Sequence, residues 1–131
     1  VWDTHFNQEW RLGAVLKGGD EMIDTLRTEM GPVWAKTLIL VATEFGRTVH
    51  ANGTRGTDHG TASAAMLFGG GLVNGGKIIA DWPGLGASQL YEGRDLKPTM
   101  RFEAMVIAAL SSHYGIDPEK LRRTVFPDFP T

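Results

Sequence analysis

Asp3-Thr4-His5 and Asp58-His59-Gly60 each set a carboxylate beside an imidazole. Mixed oxygen and nitrogen donors of this kind are what a divalent cation such as zinc or manganese accepts, with calcium or magnesium as oxygen-preferring alternatives. A spacing of two puts Asp3 and His5 on one face if their segment is extended. Between the triplets an apolar run, Thr37 to Ala42, ends in Thr43-Glu44-Phe45-Gly46-Arg47. Acids, imidazoles and an arginine therefore flank one strand, and in α/β proteins ligands gather at the carboxyl ends of strands. Arg47, following Gly46 at a strand end, offers a planar two-donor fork that suits phosphate or sulfate oxygens.

Ordinary structural roles stand beside these. Asp3 suits a helix cap and His5 simple exposure, while Asp58-His59-Gly60 suits an Asx turn, since Asp and Gly are common turn residues. Glu44 has possible ion-pair partners in Arg47 and Arg55. His50 is expected in solvent, and His113, on the apolar stripe of a helix, as a hydrogen-bonded core or boundary residue. Trp2, Trp10, Trp34 and Trp82 are expected as packing anchors. Lys120, Arg122 and Arg123 read as a solvated basic face.

The elements that must position these residues follow from periodicity and punctuation. Met22, Ile23, Leu26 and Met30 form a helical stripe after a possible cap at Asp20, with Gly31-Pro32 as its stop and a separate helix upstream over Glu9 to Lys17. Leu38 to Ala42 is short and continuously apolar, as in a central strand covered on both faces. Ala64 to Phe68 reads as a second strand, and Leu72 to Ile79 as a small hairpin turning at Asn74-Gly75. Ala80 to Pro98 reads as an ordered loop. A helix is expected from Thr99 to Tyr114, ended by Gly115, and a last short one after the cap and first-turn proline Asp117-Pro118. Alternating strands and helices predict an α/β fold, a layered sheet with flanking helices.

Composition narrows the possibilities. The 131 residues carry 13 Lys and Arg against 15 Asp and Glu, a net charge of -2 that suggests no nucleic-acid partner. The absence of cysteine removes disulfides and thiolate metal sites. No apolar run approaches the roughly 20 residues of a membrane span. The chain is read as a single domain, burying about two thirds of its unfolded surface. Its opening at Val1-Trp2-Asp3, with no initiator methionine or leader, reads as a piece of a longer protein.

The order Trp2-Asp3-Thr4-His5, Thr43-Glu44-Phe45-Gly46-Arg47-Thr48, Asn52-Gly53, Gly56-Thr57-Asp58-His59-Gly60, Gly69-Gly70-Gly71, Trp82-Pro83-Gly84 and Arg94-Asp95-Leu96 resembles the C-terminal half of the domain of unknown function 1501 family, from Trp2 to about Pro127. Members of that family are similar to sulfatases and to the alkaline phosphatase superfamily, which hydrolyses phosphate and sulfate esters at two metals. The resemblance implies the C-terminal portion of an alkaline-phosphatase-like fold, a phosphate or sulfate ester as substrate, and export to the periplasm or cell surface.

Two registers carry the superfamily's ligands across. In one, Asp58-His59 is the Asp-His pair of the second metal. In the other, Thr43-Glu44-Phe45-Gly46 resembles the superfamily's Thr/Ser-Asp-His-Gly, with Phe45 in place of its histidine, and His59 matches the later histidine that joins Asp3 and His5 on the first metal. The second is preferred because strand spacing and the downstream glycines agree with it. It leaves Glu44 and Asp58 for a second metal, and it departs from the superfamily, whose first Asp and His lie four apart rather than two. The resemblance puts the nucleophile upstream of Val1, so the chain alone is expected to be inactive. The alternative is a degenerate, non-catalytic binding or structural module of the same fold. Self-association through an exposed sheet edge is a further expectation.

Overall fold

No proline interrupts residues 8–30, and most of them are good helix formers. In the computed structural model, which describes residues 2–72 and 75–129, they form one helix, α1 (Gln8–Met30). The expected break at Gly18-Gly19-Asp20 is therefore absent, and Asp20 lies inside the helix rather than capping it. Gly19 seats a ring: a Cβ there would lie 3.1 Å from two carbons of the Trp2 indole. The stop at Gly31-Pro32 holds, with Gly31 at φ 50° donating its N–H to the Thr28 carbonyl, and a 3-10 turn follows over Gly31–Lys36.

Four strands come next in succession: β1 (Ile39–Val41), β2 (Gly46–Arg47), β3 (His59–Gly60) and β4 (Met66–Phe68). They make two separate two-stranded antiparallel sheets. β1 pairs with β4 in the register Ile39 with Phe68, Leu40 with Leu67 and Val41 with Met66. β2 pairs with β3, nested inside the first pair. So β1 is not a central strand: it has one strand neighbour among the described residues, and Leu40 is exposed. Nor do strands alternate with helices. The architecture is mixed α/β, built from helices and small antiparallel sheets rather than one layered sheet. Of the expected hairpin, Val73 and the turn residue Asn74 lie outside the described residues, and Lys77 to Ile79 form no strand.

The C-terminal helices follow their local signals. α2 (Phe102–Tyr114) starts three residues later than expected and ends at Gly115, whose φ of 64° is the left-handed cap that glycine favours. α3 (Pro118–Val125) is capped by Asp117, whose side chain accepts from the Lys120 N–H. The two helices pack together and contribute the buried apolar residues Ile107 and Leu121. His113 sits at the boundary, half-buried, with its ring edge-on to Tyr114.

The accessible surface is 9412 Å², against about 6,800 Å² for a compact protein of this mass. Folding therefore buries about 55% of the extended chain's surface rather than two thirds. The reason is visible in α1, which contributes no buried residue, and in strands with one neighbour each. Trp10 and Trp82, expected as packing anchors, are 77% and 63% exposed. No helix among the described residues is long and apolar enough to cross a membrane.

Candidate metal centre

Directly opposed residues of an antiparallel pair share a face, and so do residues two apart on one strand. Arg47 faces His59 across β2 and β3, and Phe45 lies two residues before Arg47. One surface thus carries all three side chains. The Phe45 and His59 rings stack at 4.0 Å with 11° between planes, and the Arg47 guanidinium lies 4.9 Å from the Phe45 centroid. Such close strands need glycine on each strand of the pair, at opposed positions: a Cβ on Gly46 would lie 2.3 Å from the Ala62 backbone, and one on Gly60 2.5 Å from the Arg47 carbonyl carbon. His59 and Gly60 are accordingly strand residues, not the loop or Asx turn that Asp58-His59-Gly60 suggests.

The N-terminal segment is laid onto this surface by the loop from Asn52 to Asp58. The Asn7 N–H donates to the Thr54 carbonyl at 3.0 Å and the Gln8 N–H to the Arg55 carbonyl at 2.9 Å. Asn52 Nδ2 donates to the His5 carbonyl, as does Thr54 Oγ1, each at 2.9 Å. Asn52 Oδ1 in turn accepts from the N–H groups of Thr54 and Gly56 at 3.0 Å. Between Asp3 and His5, Thr4 is 5% exposed, with a buried hydroxyl that has no hydrogen-bond partner among the described residues. Asp3 and His5 both turn toward His59.

Asp3, His5 and His59 converge. Asp3 Oδ1 lies 3.0 Å from His5 Nε2 and 2.9 Å from His59 Nε2, and the two Nε2 atoms are 3.2 Å apart. Among the described residues this is the group of three or more side chains that could hold a metal ion. Asp3 is held below the usual carboxylate range, first by its hydrogen bond with His59, then by the charges of His5, His59 and Arg47. It is therefore anionic at neutral pH, as a ligand must be.

Of the other expected site residues, Arg47 and Asp58 border the cluster and Glu44 stands apart from it. Arg47 does not pair with Glu44: its Nη2 donates to Asp3 Oδ1 at 3.3 Å and its Nη1 to the Thr57 carbonyl at 3.1 Å. Arg55 bonds the Asn7 side chain. Glu44 is exposed, with no ion pair among the described residues and no place in the cluster. Asp58 is not turned toward Glu44. Its Oδ1 accepts from Asn52 Nδ2 at 2.9 Å and stands 3.6 Å from His5 Nδ1, the ring nitrogen that faces away from Asp3. The Asn52 hydrogen bond is the main reason its carboxyl is also held low. His50 is exposed, as expected.

Residue types alone did not mark Asn52, Thr54 or Phe45 as site-building. The signal was in the sequence as Asn52-Gly53-Thr54, an Asx-turn pattern whose side chain can bond the backbone two residues on. A further tie is Asp95, 4% exposed, which accepts from Thr61 Oγ1 and from Arg94 and bridges to Thr48. It anchors the 91–96 loop to both sides of β2 and β3. The concavities lined by Asp117 to Thr124 and by Pro98 to Arg101 include none of the cluster residues.

The profile of the family described as Protein of unknown function (DUF1501) matches residues 1–125, and the chain belongs to that family. No curated protein and no solved structure matches it.

Proposed function

We propose that this member of the DUF1501 family is part of a metal-dependent hydrolase of phosphate or sulfate esters, with Asp3, His5 and His59 as the protein ligands of one divalent cation. What supports this most is the meeting of one carboxylate oxygen and two Nε2 atoms at 2.9 to 3.2 Å from segments far apart in sequence. Zinc with ligands at 2.0–2.1 Å has a tetrahedral edge of about 3.3 Å, close to those separations. Two imidazoles and one carboxylate favour zinc or manganese over calcium or magnesium, which take oxygen-rich sets.

A bound divalent ion would supply Lewis-acid polarisation of an ester oxygen and ready activation of water. The chain's own residues do the rest. Asp3 and the two imidazoles bind and orient, and three protein ligands leave a position open. Arg47 keeps a guanidinium beside the cluster, a charge that draws an anionic ester toward it. Phe45 walls one side with an apolar ring stacked on His59. Motif order, not the small sheets, supports assigning the chain to an alkaline-phosphatase-like fold. An exported, periplasmic location belongs to the same proposal and is checked by cell fractionation.

Calorimetric titration with zinc and manganese tests the site. Binding in the micromolar range or tighter is expected, and its loss in His59→Ala. No heat with either ion, in parent and variant alike, refutes it. Phe45, where the superfamily has a histidine, favours a second proposal, a binding module without turnover. Metal binding by the full-length protein with no hydrolysis of aryl phosphate or aryl sulfate would select that one.

A further inference from the structure

The donor atoms of His5 and His59 meet although no secondary structure connects their segments, so something must hold the Asp3 to His5 segment in place. The loop from Asn52 to Asp58 does so, and one side chain sits at its centre. The Asn52 side chain makes four hydrogen bonds: Nδ2 donates to the His5 carbonyl and to Asp58 Oδ1, both at 2.9 Å, and Oδ1 accepts from the N–H groups of Thr54 and Gly56. It thereby ties the backbone of His5 and the carboxylate behind the His5 ring to the same amide group.

We propose that Asn52 and Asp58 act together as positioning residues for His5. Asn52 fixes the His5 backbone, and Asp58, itself fixed by Asn52, faces His5 Nδ1 and so leaves Nε2 to Asp3 and His59. At 3.6 Å the Asp58 to His5 contact is an electrostatic one rather than a formed hydrogen bond. It favours the ring orientation and draws the proton toward Nδ1, against Asp3 Oδ1, which at 3.0 Å draws it toward Nε2 until a cation takes that nitrogen. A carboxylate behind a metal-binding imidazole has this role in metal sites generally, and its loss typically lowers metal affinity 10- to 100-fold. The inference rests on the metal reading above, but its consequence for His5 itself does not.

Asp58→Asn and Asn52→Asp are the variants, since both conserve shape. Asn52→Asp keeps the oxygen that accepts from Thr54 and Gly56, so the turn persists, but removes the donor to His5 and Asp58. Zinc affinity by calorimetry and the visible spectrum of the cobalt-loaded chain are read beside far-ultraviolet circular dichroism. Both variants are expected to bind zinc about 10-fold more weakly, with altered cobalt bands and parental dichroism. Parental affinity and parental cobalt bands in both overturn the inference. A merely structural role would move the melting temperature and leave the cobalt bands alone.

The metal-free chain supplies an independent test. Imidazole nitrogen resonances show which ring nitrogen of His5 carries the proton. A larger share of the proton on Nδ1 in the parent than in Asp58→Asn supports the positioning, since Asp3, 3.0 Å from Nε2, draws it the other way in both. The same distribution in both overturns it. If the parent binds neither zinc nor cobalt, the metal reading falls and these resonances alone decide the positioning.

Discussion

Gly56→Ala is the substitution that most directly tests how the site is built. The added Cβ would lie 2.1 Å from the His5 carbonyl oxygen, 2.4 Å from its carbon and 2.9 Å from the Phe6 nitrogen, all backbone atoms. No rotamer change can relieve such a contact, so the loop and the N-terminal segment must part by about 1 Å or more to restore ordinary separations. Four hydrogen bonds span that gap: Asn7 to Thr54, Gln8 to Arg55, and the two donors on the His5 carbonyl, all between 2.9 and 3.0 Å. Parting by about 1 Å takes each beyond hydrogen-bond range. At a net ~1 kcal/mol each the loss is up to about 4 kcal/mol, and nearer 2 if water replaces half of them. Gly53→Ala is the control, since its Cβ meets nothing within 4 Å in the same loop. Urea unfolding gives the stability difference, and zinc calorimetry shows whether His5 has left the cluster. A Gly56→Ala midpoint and zinc affinity equal to those of Gly53→Ala would refute the clamp.

The remaining predictions concern the helices. Gly18→Ala, inside α1 with open space around its Cβ, should stabilise the chain by roughly 0.5–1 kcal/mol, seen as a higher denaturation midpoint. Asp117→Ala removes the side chain that accepts from the Lys120 N–H and should cost about 1 kcal/mol by the same measurement. Glu119 is held at about 2, against an ordinary 4.5, by hydrogen bonds from Arg122 and then Arg123. Because the folded value is the depressed one, its contribution is complete above pH 4.5 and is lost as pH falls through about 2. The midpoint difference between the parent and Glu119→Gln should be flat above that window and vanish at its acid end.

Legibility in the sequence followed the range of the interactions. Gly115, Asp117-Pro118 and Gly31-Pro32 act within one turn of the chain, and the helix ends they mark are where they should be. Gly18-Gly19 misled because glycine weakens a helix without ending one, and the use of Gly19 depends on Trp2, 17 residues away in sequence. The apolar run ending at Ala42 misled because residue type cannot distinguish a strand with two neighbours from β1, which has one.

The same division runs through the site. By itself the sequence determined the family, the mixed α/β class, the donor types and the spacing of two that lets Asp3 and His5 share a face. The sequence offered His59 in two registers and preferred the one that joins it to Asp3 and His5; tertiary structure decided that the three meet, since this depends on Gly46 and Gly60 bringing two strands together and on Asn52 holding a segment 47 residues upstream. It also decided that Arg47 serves Asp3 and that Asp58 faces His5, leaving Glu44 in solvent. Each carboxylate has several cations or imidazoles within reach of the chain, and sequence order does not say which of them ends up beside it. Only the folded backbone sets those distances, and with them the chemistry each side chain can do.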